Sequence, residues 1–203
     1  MKGCCLFRPA VYNAPGLVFN IPVGGDMGVF GCSFESEFGT IRLVWNGASG
    51  RIVRVLFPGQ LLPDTEPIRA EDVPERVSTL ISNLGRFLRG AEVEFDPGIL
   101  DLESCSPFKR RVLLLERTIP RGCVTTYGAL ARELGIKGGA RAVGGALASN
   151  PFPFIIPCHR VVRSDGSIGG FQGGGGMKEK LLGMEGVKFL RKRSVDPRFI
   201  MMF

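Results

Sequence analysis

Histidine occurs once in the 203 residues, at His159, and no two of the six cysteines stand at C-x-x-C spacing. The usual donor sets for zinc are therefore missing, and no metal site is expected. No apolar run is long enough to span a bilayer. The first 19 residues lack a charged segment followed by a continuous apolar one, the mark of a secretory signal. A cytoplasmic protein without a membrane role is the expectation. An intracellular chain of this length builds its core without disulfides, so most cysteines are expected to be small buried apolar residues. Cys4 and Cys5 remain candidates for pairing with Cys32.

What is present is an uneven charge. Residues 1–105 hold 9 Lys+Arg against 13 Asp+Glu, a balance of −4, whereas residues 106–203 hold 17 against 6, a balance of +11. An acidic half joined to a strongly basic one suggests two domains, the second facing a polyanion. The boundaries read as a structural domain over 1–95, a connector over 96–105 and a basic domain over 106–203.

The first domain reads as a small α/β unit. Phe38 to Trp45 and Arg51 to Phe57 are β-branched and aromatic runs flanking Asn46-Gly47-Ala48-Ser49-Gly50, a hairpin signal. Pro58 to Pro67 reads as loop. From Asp72 the period changes: Val73, Val77, Leu80, Ile81, Leu84, Phe87 and Leu88 share a helical face, with Pro74 in the first turn. Nothing in this half announces chemistry.

The second domain opens at Ser106-Pro107, an N-cap followed by proline at the first helical position. Phe108, Val112, Leu115 and Ile119 continue that helix. Thr126 caps a short helix from Tyr127 to Leu134. A turn at Gly135-Ile136-Lys137-Gly138 then leads to a helix from about Gly139 to Ser149, giving a helix-turn-helix pattern. The second of these helices is thin: Ala140, Ala142, Gly144, Gly145, Ala146, Ala148 and Ser149 surround a single charge, Arg141. A major-groove reading helix carries several long polar side chains. A thin one suits close approach, either to a minor groove or to neighbours inside the domain. Further on, Ser164-Asp165-Gly166 between Val161-Val162-Arg163 and Ser167 to Phe171 signals a hairpin, the wing of a winged helix. The glycine run Gly173 to Gly176 is expected to be mobile or closely approached by another backbone. A last short helix spans Lys178 to Met184.

Pro157-Cys158-His159-Arg160-Val161 carries the chemistry. Cysteine is a nucleophile as its thiolate, and a neighbouring base or cation makes thiolate available. Adjacent residues of an extended strand face opposite ways, so contact between Cys158 and His159 needs a turn after Pro157 or a bridging water. Arg160 adds charge or braces the loop. The carboxylate that orients His159 is one of Glu116, Glu133, Asp165, Glu179, Glu185 and Asp196, and spacing does not choose among them.

Over roughly residues 106–189 these features resemble the O6-alkylguanine-DNA alkyltransferase (methylated-DNA–protein-cysteine methyltransferase) family. The resemblance rests on Pro157 to Val161 together with Ser106-Pro107-Phe108, Thr126-Tyr127-Gly128, Ala140 to Ala146, Asn150-Pro151, Ser164 to Gly170 and Glu185-Gly186. It implies a C-terminal winged helix-turn-helix behind a small, variable α/β domain. It also implies irreversible transfer of an alkyl group from O6-alkylguanine in duplex DNA to Cys158, with no cofactor, by a monomer. His159 would activate Cys158 through a water, Glu185 would orient His159, and Asn150 would order the loop. Tyr127 would donate a hydrogen bond to the base, and Arg141 would fill the stack left by the flipped nucleotide. Thr126, Ala140, Gly144 and Ser149 would join Arg141 and Tyr127 on the DNA. Val161, Ser164, Phe171, Gln172 and Gly173 would line the base pocket, with Phe171 standing where the family often has tyrosine. A Cys-His hydrolase and a lesion-binding protein without transfer are the alternative readings.

Overall fold

The computed structural model describes residues 18–20, 28–61, 73–190 and 193–203. Cys4, Cys5 and much of the loop expected over 58–67 lie outside them, while Cys32 is a free, buried thiol.

Four strands form an antiparallel sheet in chain order: β1 (Val18–Asn20), β2 (Val29–Ser36), β3 (Gly39–Asn46) and β4 (Ile52–Leu56). The expected hairpin is β3–β4, and Asn46 Oδ1 holds its loop by accepting from Ser49 N at 2.9 Å. Phe38, expected to start β3, lies in the tight turn that joins β2 to it. Alternation along β3 buries Ile41, Leu43 and Trp45 on one face. Helix α1 (Glu75–Leu88) presents Val77, Leu80, Ile81, Leu84, Phe87 and Leu88 to the core. Pro74 stands just before the first turn rather than in it.

The free side of β4 is not open. Ile52 bridges in parallel to Leu100 and accepts from Asp101 N at 2.8 Å, and Val55 N donates to Pro151 O at 2.8 Å. Two short 3-10 turns, Pro97–Ile99 and Leu102–Ser104, lead on to α2 (Pro107–Glu116), which Ser106 caps by accepting from Lys109 N. Then come β5 (Thr125–Thr126), α3 (Tyr127–Glu133), capped by Thr126 Oγ1 on Ala129 N at 3.1 Å, and α4 (Ala140–Ala148). The turn between α3 and α4 uses Gly135 and Gly138, both at positive φ. Buried residues of the sheet, α1, α2, α3 and α4 form one apolar cluster, including Leu43, Leu84, Leu113, Leu130 and Val143.

The wing differs from expectation. The Asp-Gly turn forms, with Arg163 N on Ser167 O at 2.9 Å, but its flanks do not pair with each other as strands. Instead β6 (Val161–Val162) runs parallel to β5, and Ser167 bridges to Ser194 in β8 (Ser194–Val195), the partner of β7 (Phe189–Leu190). Partners distant in sequence outcompete the local hairpin because both valines thereby reach full burial. The glycine run also differs: Gly174 to Gly176 form the first turn of α5 (Gly174–Met184), four residues ahead of the expected start. Burial of Leu181 and Leu182 outweighs the low helix propensity of glycine. No helix among the described residues is long and apolar enough to cross a membrane.

Candidate active site

Prolines at 151, 153 and 157 keep the segment before Cys158 out of helix. Its shape comes from Asn150, buried just after α4: Nδ2 donates to Ile156 O at 3.1 Å and Oδ1 accepts from Phe152 N at 2.9 Å. Phe154 is buried at φ +71°, a left-handed conformation costing a bulky residue roughly 1–2 kcal/mol. It is held there by edge contact with Phe57, ring centroids 5.2 Å apart. After Pro157 the chain enters a 3-10 turn, Cys158–Arg160. This is the turn that the sequence requires if Cys158 and His159 are to act together.

His159 is fully buried, and its Nε2 lies 2.9 Å from Glu185 Oε1. Arg160 grips the same carboxylate with a two-pronged fork, Nε to Oε2 and Nη2 to Oε1, each at 2.8 Å, while Nη1 donates to Ile119 O at 2.7 Å. Burial works against the Glu185 charge, yet hydrogen bonds from His159 and Arg160 and the positive charge of Arg160 hold its carboxyl down to about 2. An ionised Glu185 accepts, so Nε2 carries the imidazole proton. Burial lowers the pKa of His159 despite Glu185, which keeps the ring neutral. Nδ1 is then a lone pair with no protein partner among the described residues, and so a base ready to take a proton.

Cys158 lines a cavity of about 470 Å³ with Tyr127, Gly144, Leu147, Ala148, Gly170, Phe171 and Gln172. That is within the ~300–1,000 Å³ range of small-molecule sites. Burial pushes the thiol up to about 12, the charge of Glu116 adds to this, and Asn150 and Lys178 pull it back. The resting form is thus the thiol, and thiolate must be made during reaction. Burial also raises the pKa of Tyr127, so its phenol stays a donor. Gln172 reaches from the cavity wall to donate from Nε2 to Ala148 O on α4.

On α4, Val143, Ala146 and Leu147 are buried while Arg141, Ala142, Gly145, Ala148 and Ser149 are exposed. A Cβ built on Gly145 would meet nothing within 4 Å. Gly145 therefore answers no packing demand from the described residues. Arg141 makes no ion pair or hydrogen bond among the described residues.

The model of the 6-O-methylguanine DNA methyltransferase DNA-binding domain matches residues 107–187. The methylated-DNA–protein-cysteine methyltransferase of Methanothermobacter thermautotrophicus is 43% identical over 149 residues, which is 72% of this chain and 80% of that one. The chain belongs to the methylated-DNA–protein-cysteine methyltransferase family. A family member from Mycobacterium tuberculosis, solved in complex with DNA, superposes with a TM-score of 0.65 at 32% identity, covering 75% of this chain and 90% of that one. A Thermus thermophilus relative named a DNA base-flipping protein is 43% identical over 100 residues, 49% of this chain and 67% of that one.

Set against the family's expected residues, the fold brings Cys158, His159, Glu185, Asn150 and Tyr127 to one place. Phe171, Gln172 and Gly144 join them on the cavity wall. Three expected lining residues stand elsewhere. Val161 is buried, with its carbonyl accepting from Lys178 Nζ at 2.6 Å. Ser164 is exposed in the 163–167 turn, and Gly173 stands behind the wall, facing Met177, Phe57 and the cavity-lining Phe171. Thr126 serves as the α3 cap, Ala140 starts α4, and Ser149 donates to the Gly145 and Ala146 carbonyls. Two buried charged residues lie outside the expected site: the sequence marks Lys178 only as the start of the last helix, and Glu116 only as one of six carboxylates. Their signal was a charge on an apolar helical stripe, beside Val112 and Leu113 on α2, and Leu181 and Leu182 on α5.

Proposed function

We propose that this protein repairs DNA by direct reversal, moving the alkyl group of O6-alkylguanine from a flipped-out nucleotide to Cys158 in one irreversible turnover. The observation that carries the reading is Cys158 on the wall of the cavity, with a neutral imidazole next in the chain whose free nitrogen is Nδ1. His159 takes the thiol proton, directly or through a water, and the resulting imidazolium is stabilised by Glu185. The sulfur then attacks the alkyl carbon: the S–C bond forms, the C–O6 bond breaks, and its electrons pass to O6. Tyr127, held as a donor, gives the base a proton and recovers one from the His159 imidazolium, so that guanine leaves neutral and the thiol's proton ends on it. The thioether has no route back, so the thiol is both reagent and sink, and no cofactor enters.

A stacked base presents no path for that attack, so the nucleotide must leave the helix. The exposed face of α4 suits close approach to a minor groove, with Arg141 its one long side chain, free to enter the stack. The basic charge of residues 106–203 supplies attraction to phosphates.

Mixing the protein with a duplex containing O6-methylguanine should add one methyl group per chain, mapping to the Cys158 peptide and absent from Cys158→Ala. A folded wild-type protein that binds such DNA without gaining mass would instead make it a base-flipping protein without transfer.

A further inference from the structure

Two ionisable side chains are fully buried beside the site and take no part in the chemistry above. Glu116, at the end of α2, has zero exposure and neither carboxyl oxygen finds a hydrogen-bond partner among the described residues. Lys178 on α5 also has zero exposure, and its Nζ donates to the carbonyls of Val161 and Gly170, at 2.6 and 3.5 Å. Gly170 is on the cavity wall. Both groups act electrostatically on the Cys158 sulfur with opposite sign, Glu116 disfavouring thiolate and Lys178 favouring it.

We propose that Glu116 is a positioning residue that controls alkyl transfer through its own proton. As the neutral acid it leaves the Lys178 ammonium free to serve as counter-ion to the Cys158 thiolate, and as the carboxylate it neutralises that ammonium and repels the sulfur. The inference rests on the reading of Cys158 as alkyl acceptor. Its physical basis is the cost of an unsolvated, unpaired carboxylate, which favours the acid. Burial pushes Glu116 up to about 8, against the pull of Lys178 and Arg160, and pushes Lys178 down to about 8, against the pull of Cys158 and Glu116. Loss of one proton from this pair at mildly alkaline pH removes the local positive charge whichever residue gives it up. Among the other groups in reach, His159 is held down by burial, with the charges of Arg160 and Lys178 adding to this. Arg160, from the 158–160 turn, is engaged by Glu185. Tyr127, from α3, is held protonated. Arg163 is exposed and opposes the charge on Lys178. On α2 and at its end, Arg111 and Arg117 are exposed, Arg111 donating to Leu134 O, and Lys109 and Arg110 are partly exposed.

The test compares the full-length wild type, Glu116→Gln and Lys178→Met between about pH 6 and pH 10, a span centred on the pair. One readout is the single-turnover rate of methyl transfer from a duplex containing O6-methylguanine. The other is alkylation of Cys158 by iodoacetamide, followed on its own peptide, which reports thiolate without DNA. With wild type, both rates should level off above about pH 8; Glu116→Gln, whose Lys178 has lost the carboxylate that raises it, should level off at lower pH. Lys178→Met should be slow at neutral pH and show no levelling near 8. Glu116→Met replaces the amide if Glu116→Gln does not fold. Normalised profiles of wild type and variant that superimpose in both assays overturn the proposal, as would a merely structural role for Glu116. If iodoacetamide shows the shift but no methyl is transferred, the proton control stands and the repair reading falls. If methyl transfer proceeds with unshifted profiles, the reverse holds.

Discussion

Replacing Glu116 by glutamine should stabilise the protein at neutral pH, and the gain should vanish in acid. Glu116 ionises at 4.5 when exposed and near 8 in the folded chain. Between those values the folded state holds a proton that the unfolded state has released, so stability falls as the pH rises. The sign follows directly: the contribution of this group is intact below 4.5 and is lost progressively up to about 8. At pH 7 the folded state has carried the protonation cost over about 2.5 pH units at about 1.4 kcal/mol each, roughly 3 kcal/mol in all. Glutamine has the shape of the neutral acid, leaves similar polar atoms unpartnered, and carries no such cost. Groups common to both proteins cancel in the difference. Urea unfolding at a series of pH values measures it: the gap in unfolding free energy should open from near zero at pH 4.5 to about 3 kcal/mol in favour of the variant at pH 7. A gap independent of pH would refute the burial argument, and a variant less stable at pH 7 would show that Glu116 is folded as a carboxylate.

Glu185 should behave with the opposite sign. Its carboxyl is held to about 2, so its contribution is complete above 4.5 and is lost as the pH falls through about 2. Glu185→Gln should therefore cost about 3 kcal/mol at neutral pH, a difference that narrows in acid unfolding curves, and should slow methyl transfer by about tenfold to a hundredfold. Arg141→Ala should slow repair in duplex more than reaction with the free modified base, as measured by single-turnover rates, because only the duplex requires flipping; equal losses would count against a role in the stack. Gly122→Ala places a Cβ 3.1 Å from the Glu185 carbonyl at φ +78°. A loss of about 1–2 kcal/mol in urea midpoints is expected there.

Helices α1, α2, α3 and α4 were legible because their signals are local: an apolar stripe, Ser106 with Pro107, Thr126, and glycines at a turn. The β3–β4 hairpin was legible for the same reason. What escaped depended on partners far along the chain. Val161 and Val162 look like one arm of a hairpin, yet their ladder is with Thr125 and Thr126. Strand β2 is interrupted by Gly31, Cys32 and Ser33, which mask its alternation. Gly174 to Gly176 read as loop, and only packing beneath α5 makes them helical. Within the site, Cys158 with His159 was visible as a dipeptide. Glu185 was one of six carboxylates until the family resemblance chose it, and the fold places it on His159. The Glu116 and Lys178 pair shows that a charge on an apolar stripe is legible as an anomaly, whereas its counterpart on another helix is not.

The cover on the free side of β4 has a consequence for how the protein fails. A bare edge strand is a template for pairing with other chains. Here the amide of Val55 is occupied by Pro151, in the same loop that Asn150 shapes on its way to Cys158. Loosening that loop therefore does more than disorder the nucleophile: it uncovers an adhesive edge. Damage to the loop and self-association should appear together, so that a molecule disabled at its reactive end also becomes one that aggregates.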